Sequence, residues 1–227
     1  MKKLSYFSKV EIFLWISSML FIISSFLIFD RRNYLTLIAS VIGGTSLIFC
    51  AKGNPFGQVL MIVFSILYGY ISFTCAYYGE MITYLGMTAP MAIFSLVSWL
   101  RHPYNGNKSE VAVNRITFEE VIFMSVITLV VTVIFYFILD AFNTANIILS
   151  TISVTTSFGA VYLTFRRSPY FAVVYALNDV VLLVLWIMAT MKDISYLSVV
   201  ICFIIFLIND IYGFINWQRM YKKQNPQ

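Results

Sequence analysis

Two Asn-Asp pairs stand inside long apolar runs: Asn178-Asp179 in SPYFAVVYALNDVVLLVLW and Asn209-Asp210 in VVICFIIFLINDIYGFINW. A carboxylate attracts cations, accepts hydrogen bonds or carries a proton, and the amide beside it supplies a donor and an acceptor together. Placing a carboxylate near the centre of a membrane span costs about 2.5–3.5 kcal/mol on insertion scales. A chain that does so twice is expected to turn both groups toward a polar cavity and away from lipid. Helical spacing gives them company. Tyr175, Asp179 and Trp186 follow i, i+4, i+11 and share one face, with Asn178 at its border. Asn209, Tyr212 and Asn216 share a second face, with Asp210, Gly213 and Trp217 just beside it. Carboxylates among Trp and Tyr rings favour a flat cation, and amides suit a carboxamide or sugar hydroxyls. The bland alternative for each Asp is interhelical glue, satisfied by neighbouring Asn, Tyr and Thr.

Further polar groups lie in other apolar runs. Thr151, Ser153, Thr155, Thr156 and Ser157 form a third wall, although such stripes more often serve close helix packing. Gln58, Ser65, Tyr68, Ser72, Thr88 and Ser95 belong to two earlier runs, where Pro90 predicts a kink usable as a hinge. No Lys or Arg lies inside the runs to neutralise a phosphate, which disfavours nucleotides as ligands. Trp99 and Trp217 each end a run two residues before an Arg, and the simplest expectation is an interfacial aromatic belt.

The elements that must position these groups are membrane helices. Of 227 residues, 60% are hydrophobic and 11% charged, against about 25% charged in soluble chains. No room remains for a catalytic domain outside the bilayer, and no GxxxxGK[ST] loop is present to work an ATP motor. No nucleophile–base or metal-ligand spacing appears in the runs, so neither an enzyme nor a metal or other cofactor is expected. Cys50, Cys75 and Cys202 lie in apolar runs and read as packing residues, and His102 reads as an ordinary solvated loop histidine.

The fold class is all-α integral membrane, with eight spans: Val10–Phe29, Tyr34–Ala51, Pro55–Tyr78, Met81–Leu100, Phe118–Leu139, Thr144–Phe165, Pro169–Met191 and Ile194–Trp217. The first run is long enough to span and lacks a small-residue cleavage pattern, so it is expected to remain a helix. Eight spans place both termini on one side. That side carries twelve of the 15 Lys and Arg, and the other carries Arg31, Arg32 and Lys192. The bias predicts cytoplasmic termini, and it explains the net charge of +5 as membrane orientation and not nucleic-acid binding. Arg31-Arg32 is the one local exception.

The second half echoes the first. SVIGGTSLIFCAKGNP, Ser40 to Pro55, lies over VTTSFGAVYLTFRRSP, Val154 to Pro169, at an offset of 114, and SLVSWLR over GFINWQR at 118. The chain then divides into an N-terminal helix (1–33), a three-helix unit (34–100), a loop and linker helix (101–143), a second three-helix unit (144–219) and a tail (220–227). Two parallel triplets joined by one helix is the arrangement of the SWEET sugar transporters, in which the substrate site lies near the midplane. Asn178-Asp179 falls on Phe64-Ser65 and Asn209-Asp210 on Met91-Ala92, so the first half has no matching carboxylates and any pocket should be lopsided.

NPFGQVLMIVFSILYGYISF, ITYLGMTAPMAIFSLVSWLRHPY, TTSFGAVYLTFRRSPYFAVVYALNDVVLLVLW and NDIYGFINWQRM together resemble the PnuC family of vitamin transporters over most of Asn54 to Met220. The resemblance implies uptake of nicotinamide riboside by facilitated diffusion, with trapping by a cytoplasmic kinase. It nominates Asn178, Asp179 and Trp186 from one stretch, and Asn209, Asp210, Tyr212, Asn216 and Trp217 from the other. Tyr175, Gln58, Tyr68 and Thr88 complete the candidate set from helical spacing. Nicotinamide riboside carries a fixed pyridinium charge, a carboxamide and ribose hydroxyls, which are the groups inferred above. Thiamine, riboflavin and a proton-coupled mode are the alternatives. The expected partners are a small flat cation and the bilayer, with association into a homo-oligomer left open.

Overall fold

The computed structural model describes residues 6–31, 33–74, 78–144 and 146–226; Arg32 and Cys75 lie outside them. Eight stretches among the described residues are helical, long enough and apolar enough to cross a membrane. They are α1 (Lys9–Phe29), α2 (Tyr34–Ala51), α3 (Phe56–Thr74), the continuous run of α4 (Tyr78–Thr83), a π turn (Tyr84–Thr88) and α5 (Ala89–Arg101), then α6 (Phe118–Ala141), α7 (Ile147–Phe165), α8 (Phe171–Thr190) and α9 (Leu197–Gln224). A short 3₁₀ turn, Ile194–Tyr196, leads into α9, which extends past the expected boundary at Trp217 into the tail.

Local chemistry sets the ends. Ser8 and Glu11 form a capping box at α1, Asn33 accepts the Thr36 N–H at α2, and Thr117 accepts the Glu120 N–H at α6. The irregularity expected at Pro90 lies one turn earlier. The π turn absorbs it: the Ala89 N–H returns to Tyr84 O, five residues back, just ahead of Pro90, which has no N–H to give. The Arg101–Arg115 connection carries a hairpin, β1 (Pro103–Tyr104) against β2 (Asn107–Val111). Its turn is Asn105-Gly106, both at positive φ, the Asn-Gly signature of a tight hairpin. His102 is exposed, as expected, while Cys50 and Cys202 are buried.

Each triplet packs internally, α2 on α3 and α3 on α5, α7 on α8 and α8 on α9. Between triplets, α2 lies on α9 and α7 on α5, while α1 leans on α2 and α9, and α6 on α7. The turns after α2 and α7 are built alike. Gly53 and Arg167 are both left-handed, at φ +64° and +58°. Their N–H groups return to Cys50 O and Thr164 O, and the next N–H groups return to Phe49 O and Leu163 O.

Trp99 and Trp217 depart from the belt expectation: both are fully buried. Their ring centroids are 5.4 Å apart. Trp99 Nε1 donates to Thr164 O at 2.9 Å, and Trp217 Nε1 to Cys50 O at 2.8 Å. The last carbonyls of a helix lack intrahelical donors, and each indole supplies one across the boundary between triplets. Cys50, Leu163, Phe171, Ala172 and Val111 pack around the pair.

Gly57 makes the tight α2–α3 turn possible, since a Cβ there would meet Cys50 N at 2.7 Å and Cys50 Sγ at 2.6 Å. Gly57→Ala is expected to lower stability by about 1–3 kcal/mol, the usual cost of overpacking. Gly159→Ala, whose nearest neighbour is Val174 Cγ1 at 3.4 Å, should be tolerated. Thermal unfolding of both variants in detergent checks the contrast.

Candidate functional site

A string of cavities runs down the middle of the bundle. At the end away from the termini lies a chamber of about 310 Å³, which includes Glu80, Trp186 and Tyr196 in its walls. It narrows to a neck of about 30 Å³ between Glu80, Tyr84, Ser150 and Leu182. Next comes a central cavity of about 60 Å³ walled by Tyr84, Thr88, Tyr175, Asn178, Asp179 and Asp210, with Phe64 and Phe206 among the apolar lining. Below it a slot without free volume runs between Gln58, Thr88, Ser95, Thr164 and Tyr175, and the Trp99–Trp217 pair lies at that end.

In the central cavity the two carboxyl groups face each other within hydrogen-bond range. Asp179 and Asp210 are 4% and 5% exposed, and Asp179 Oδ2 has no hydrogen-bond partner. A carboxylate offers only acceptors, so two that touch repel unless a proton or another cation lies between them. Around them Tyr84 lies tilted against Tyr68 at 4.5 Å and edge-on to Phe64 at 5.9 Å between centroids, and Phe64 meets Phe206 at 6.0 Å. Among the described residues, no Lys or Arg lines the cavity. A lining of this kind can attract a cation and pack against an aromatic ring.

Asn178 is held from one side. Its Oδ1 accepts from Ser153 (3.2 Å), Thr156 (2.8 Å) and Ser157 (3.1 Å), so part of the α7 hydroxyl stripe clamps α7 to α8. That clamp fixes the rotation of α8 and aims Asp179, the next residue, across the cavity at α9.

The family model described as nicotinamide mononucleotide transporter matches residues 33–219. The chain belongs to that family. It is therefore a transporter and not an enzyme, and a multi-pass membrane protein. It is 24% identical over 217 residues to the nicotinamide riboside transporter PnuC of Neisseria mucosa, spanning 94% of this chain and 82% of that relative. A crystal structure of the vitamin B3 transporter PnuC shares its fold, with a TM-score of 0.84 at 22% identity over 96% of this chain and 94% of that one. The resemblance to PnuC seen in the ordered runs is thus matched by a family model, a relative and a fold.

The structure brings Tyr175, Asn178, Asp179, Asp210 and Thr88 to the central cavity. Gln58 lies just below in the slot, donating to Cys50 Sγ at 3.3 Å. Trp186 lines the outer chamber instead, and Tyr68 stands behind the cavity against Tyr84. Asn209, Tyr212 and Asn216 are not brought there. Asn209 donates to Ser18 Oγ and Ile205 O, Tyr212 to Glu11, and Asn216 to Ala51 O, so this face of α9 binds α1 and α2. One residue is about 100° on a helix, which is why Asp210 enters the cavity while Asn209 turns away.

Two cavity groups escaped the sequence reading. Tyr84 lies four residues before Thr88, and that spacing alone could have found it. Glu80 fell between the expected spans, whereas it sits in the first turn of α4.

The clamp and the carboxyl pair should respond differently to mutation. Asn178→Ala is expected to lower stability, since the buried Ser153 and Ser157 hydroxyls lose an acceptor at about 0.6 kcal/mol each in a membrane bundle, while Thr156 keeps the Ile152 and Ser153 carbonyls. Asp179→Asn should keep or raise stability and lose ligand binding at the central cavity. Paired unfolding and binding assays in detergent check both.

Proposed function

We propose that the chain imports nicotinamide riboside by facilitated diffusion, and that a cytoplasmic kinase retains the product by phosphorylating it. The observation that carries this is the pair of facing carboxyl groups in an aromatic-walled cavity that no Lys or Arg lines. The pyridinium meets the carboxyl pair and the rings of Tyr84 and Tyr175, and the carboxamide and ribose meet Asn178 and Thr88. A phosphate would find no counter-charge, so the riboside fits better than the mononucleotide of the family description. The relative named as a nicotinamide riboside transporter supports the same choice.

A central cavity of about 60 Å³ is far below the roughly 300 Å³ at which small-molecule sites begin. The helices must part to seat the ligand, and the π turn beside Tyr84 and Thr88 is the natural place for α4–α5 to bend. The twelve-to-three bias of Lys and Arg puts the termini, and with them the Trp99–Trp217 barrier, at the cytoplasm. The outer chamber then opens outside. The like turns after α2 and α7 and the reciprocal indole bonds support a duplicated triplet, with carboxyl groups in the second copy alone.

Two experiments test this reading. Protein in liposomes should admit labelled riboside without ATP, to an equilibrium level that an imposed pH gradient leaves unchanged, and should admit the mononucleotide at least about tenfold more slowly. Entry of thiamine but not riboside would overturn the substrate, and a level that follows the gradient would favour proton exchange at the facing carboxyl groups. A fluorescent protein that matures only in the cytoplasm should fluoresce when fused after residue 227; a dark fusion overturns the orientation.

A further inference from the structure

We propose that the outer chamber is a second, separate cation-binding site, built on Glu80, that receives an aromatic cation before it reaches the central carboxyl pair. The inference rests on the transport reading above for its role, but on its own geometry for its existence.

Volume separates the two places. The chamber encloses about 310 Å³, while the centre encloses about 60 Å³, so in this conformation a ligand-sized molecule fits at the outer end and not in the middle. Glu80 lines both the chamber and the neck below it. Its Oε2 is buried with no hydrogen-bond partner, and the Tyr68 and Ser72 hydroxyls flank the group. A carboxylate oxygen withdrawn from water without a donor is costly, and a bound cation would offset that cost. The walls suit an aromatic one. Trp186 and Tyr196 stand with ring centroids 5.5 Å apart at 50°, and both line the chamber with Asn143 and Ser150. Faces of this kind attract a desolvated cation, and the amide and hydroxyl can meet a carboxamide.

Lys192 is the counter-argument, since it also lines the chamber. It is exposed at the rim, where water screens its charge, whereas Glu80 lies at the floor. A ligand bearing both a cation and an anion could use both, so a phosphate-bearing nicotinamide should distinguish the rim from the floor.

The four tryptophans make the site observable. Trp99 and Trp217 are fully buried at the far end and Trp15, on α1, donates to Thr45 of α2, which leaves Trp186 in the chamber. A pyridinium carboxamide quenches a tryptophan it touches. The N-methylnicotinamide cation, which has no ribose, should therefore quench wild-type protein in detergent but not Trp186→Phe. Glu80→Gln and Tyr196→Leu should each weaken the apparent affinity about fivefold. Asp179→Asn and Asp210→Asn should leave it unchanged, and Lys192→Gln should not weaken it. In liposomes, Glu80→Gln should raise the half-saturating riboside concentration with little change in maximal rate. Quenching that is absent, that ignores Glu80, or that vanishes with Asp179→Asn overturns the separate site. Tighter binding of the mononucleotide than of the N-methyl cation, lost in Lys192→Gln, would overturn the floor in favour of the rim. If Glu80-dependent quenching persists while wild-type protein transports no riboside, the chamber stands and the substrate assignment falls.

Discussion

Two carboxyl groups facing each other in an apolar bundle are the constraint around which this molecule is arranged. Buried charges of like sign cannot simply be packed; they must be given a proton, a cation or distance. Here they are given precise opposition, with Asp179 on α8 and Asp210 on α9 within hydrogen-bond range. Holding two helices in that register requires fixed rotations. The three hydroxyls of α7 hold Asn178 and therefore α8. Ser18, Glu11 and the carbonyls of Ala51 and Cys50 hold α9 through Asn209, Tyr212, Asn216 and Trp217. The polar residues that miss the cavity are those that aim the ones in it.

The same bundle is closed at one end and roomy at the other. The crossed indole bonds, the slot beneath the central cavity and the hairpin at Val111 seal the end that carries the termini. The two reciprocal bonds tie the helices together there, α5 to α7 and α9 to α2. Glu11 adds a second tie there, accepting from Lys52, Tyr212 and the Ser8 N–H. At the far end the aromatic chamber leads by a narrow neck toward the carboxyl pair.

Much of this was legible in the sequence. Apolar runs bounded by charge and proline gave the eight spans, because a bilayer leaves the backbone no other solution. The Asn-Asp pairs marked the cavity, because an intramembrane carboxylate almost always faces the bundle interior or a polar cavity. What the sequence could not show was rotation. Asn209 and Asp210 are neighbours, and which of them faces the cavity depends on what α1 offers α9, a contact between residues about 190 positions apart. The belt reading of Trp99 and Trp217 failed for a similar reason. A Trp beside an Arg at a span end looks the same whether its partner is a lipid headgroup or a carbonyl on another helix. Glu80 was hidden by a boundary placed three residues late.

The central claim is that the carboxyl pair reads positive charge. The reduced, dihydropyridine form of nicotinamide riboside keeps the ribose and carboxamide and loses the charge, so it isolates that one property. Equilibrium binding of the two forms to the same detergent-solubilised protein is the most direct measurement. With Glu80→Gln removing the outer chamber's carboxylate from the assay, the oxidised cation should bind at least about tenfold tighter, a difference near 1.4 kcal/mol, and adding Asp179→Asn should erase the preference. Equal affinities for the two forms, or a preference untouched by Asp179→Asn, would contradict it.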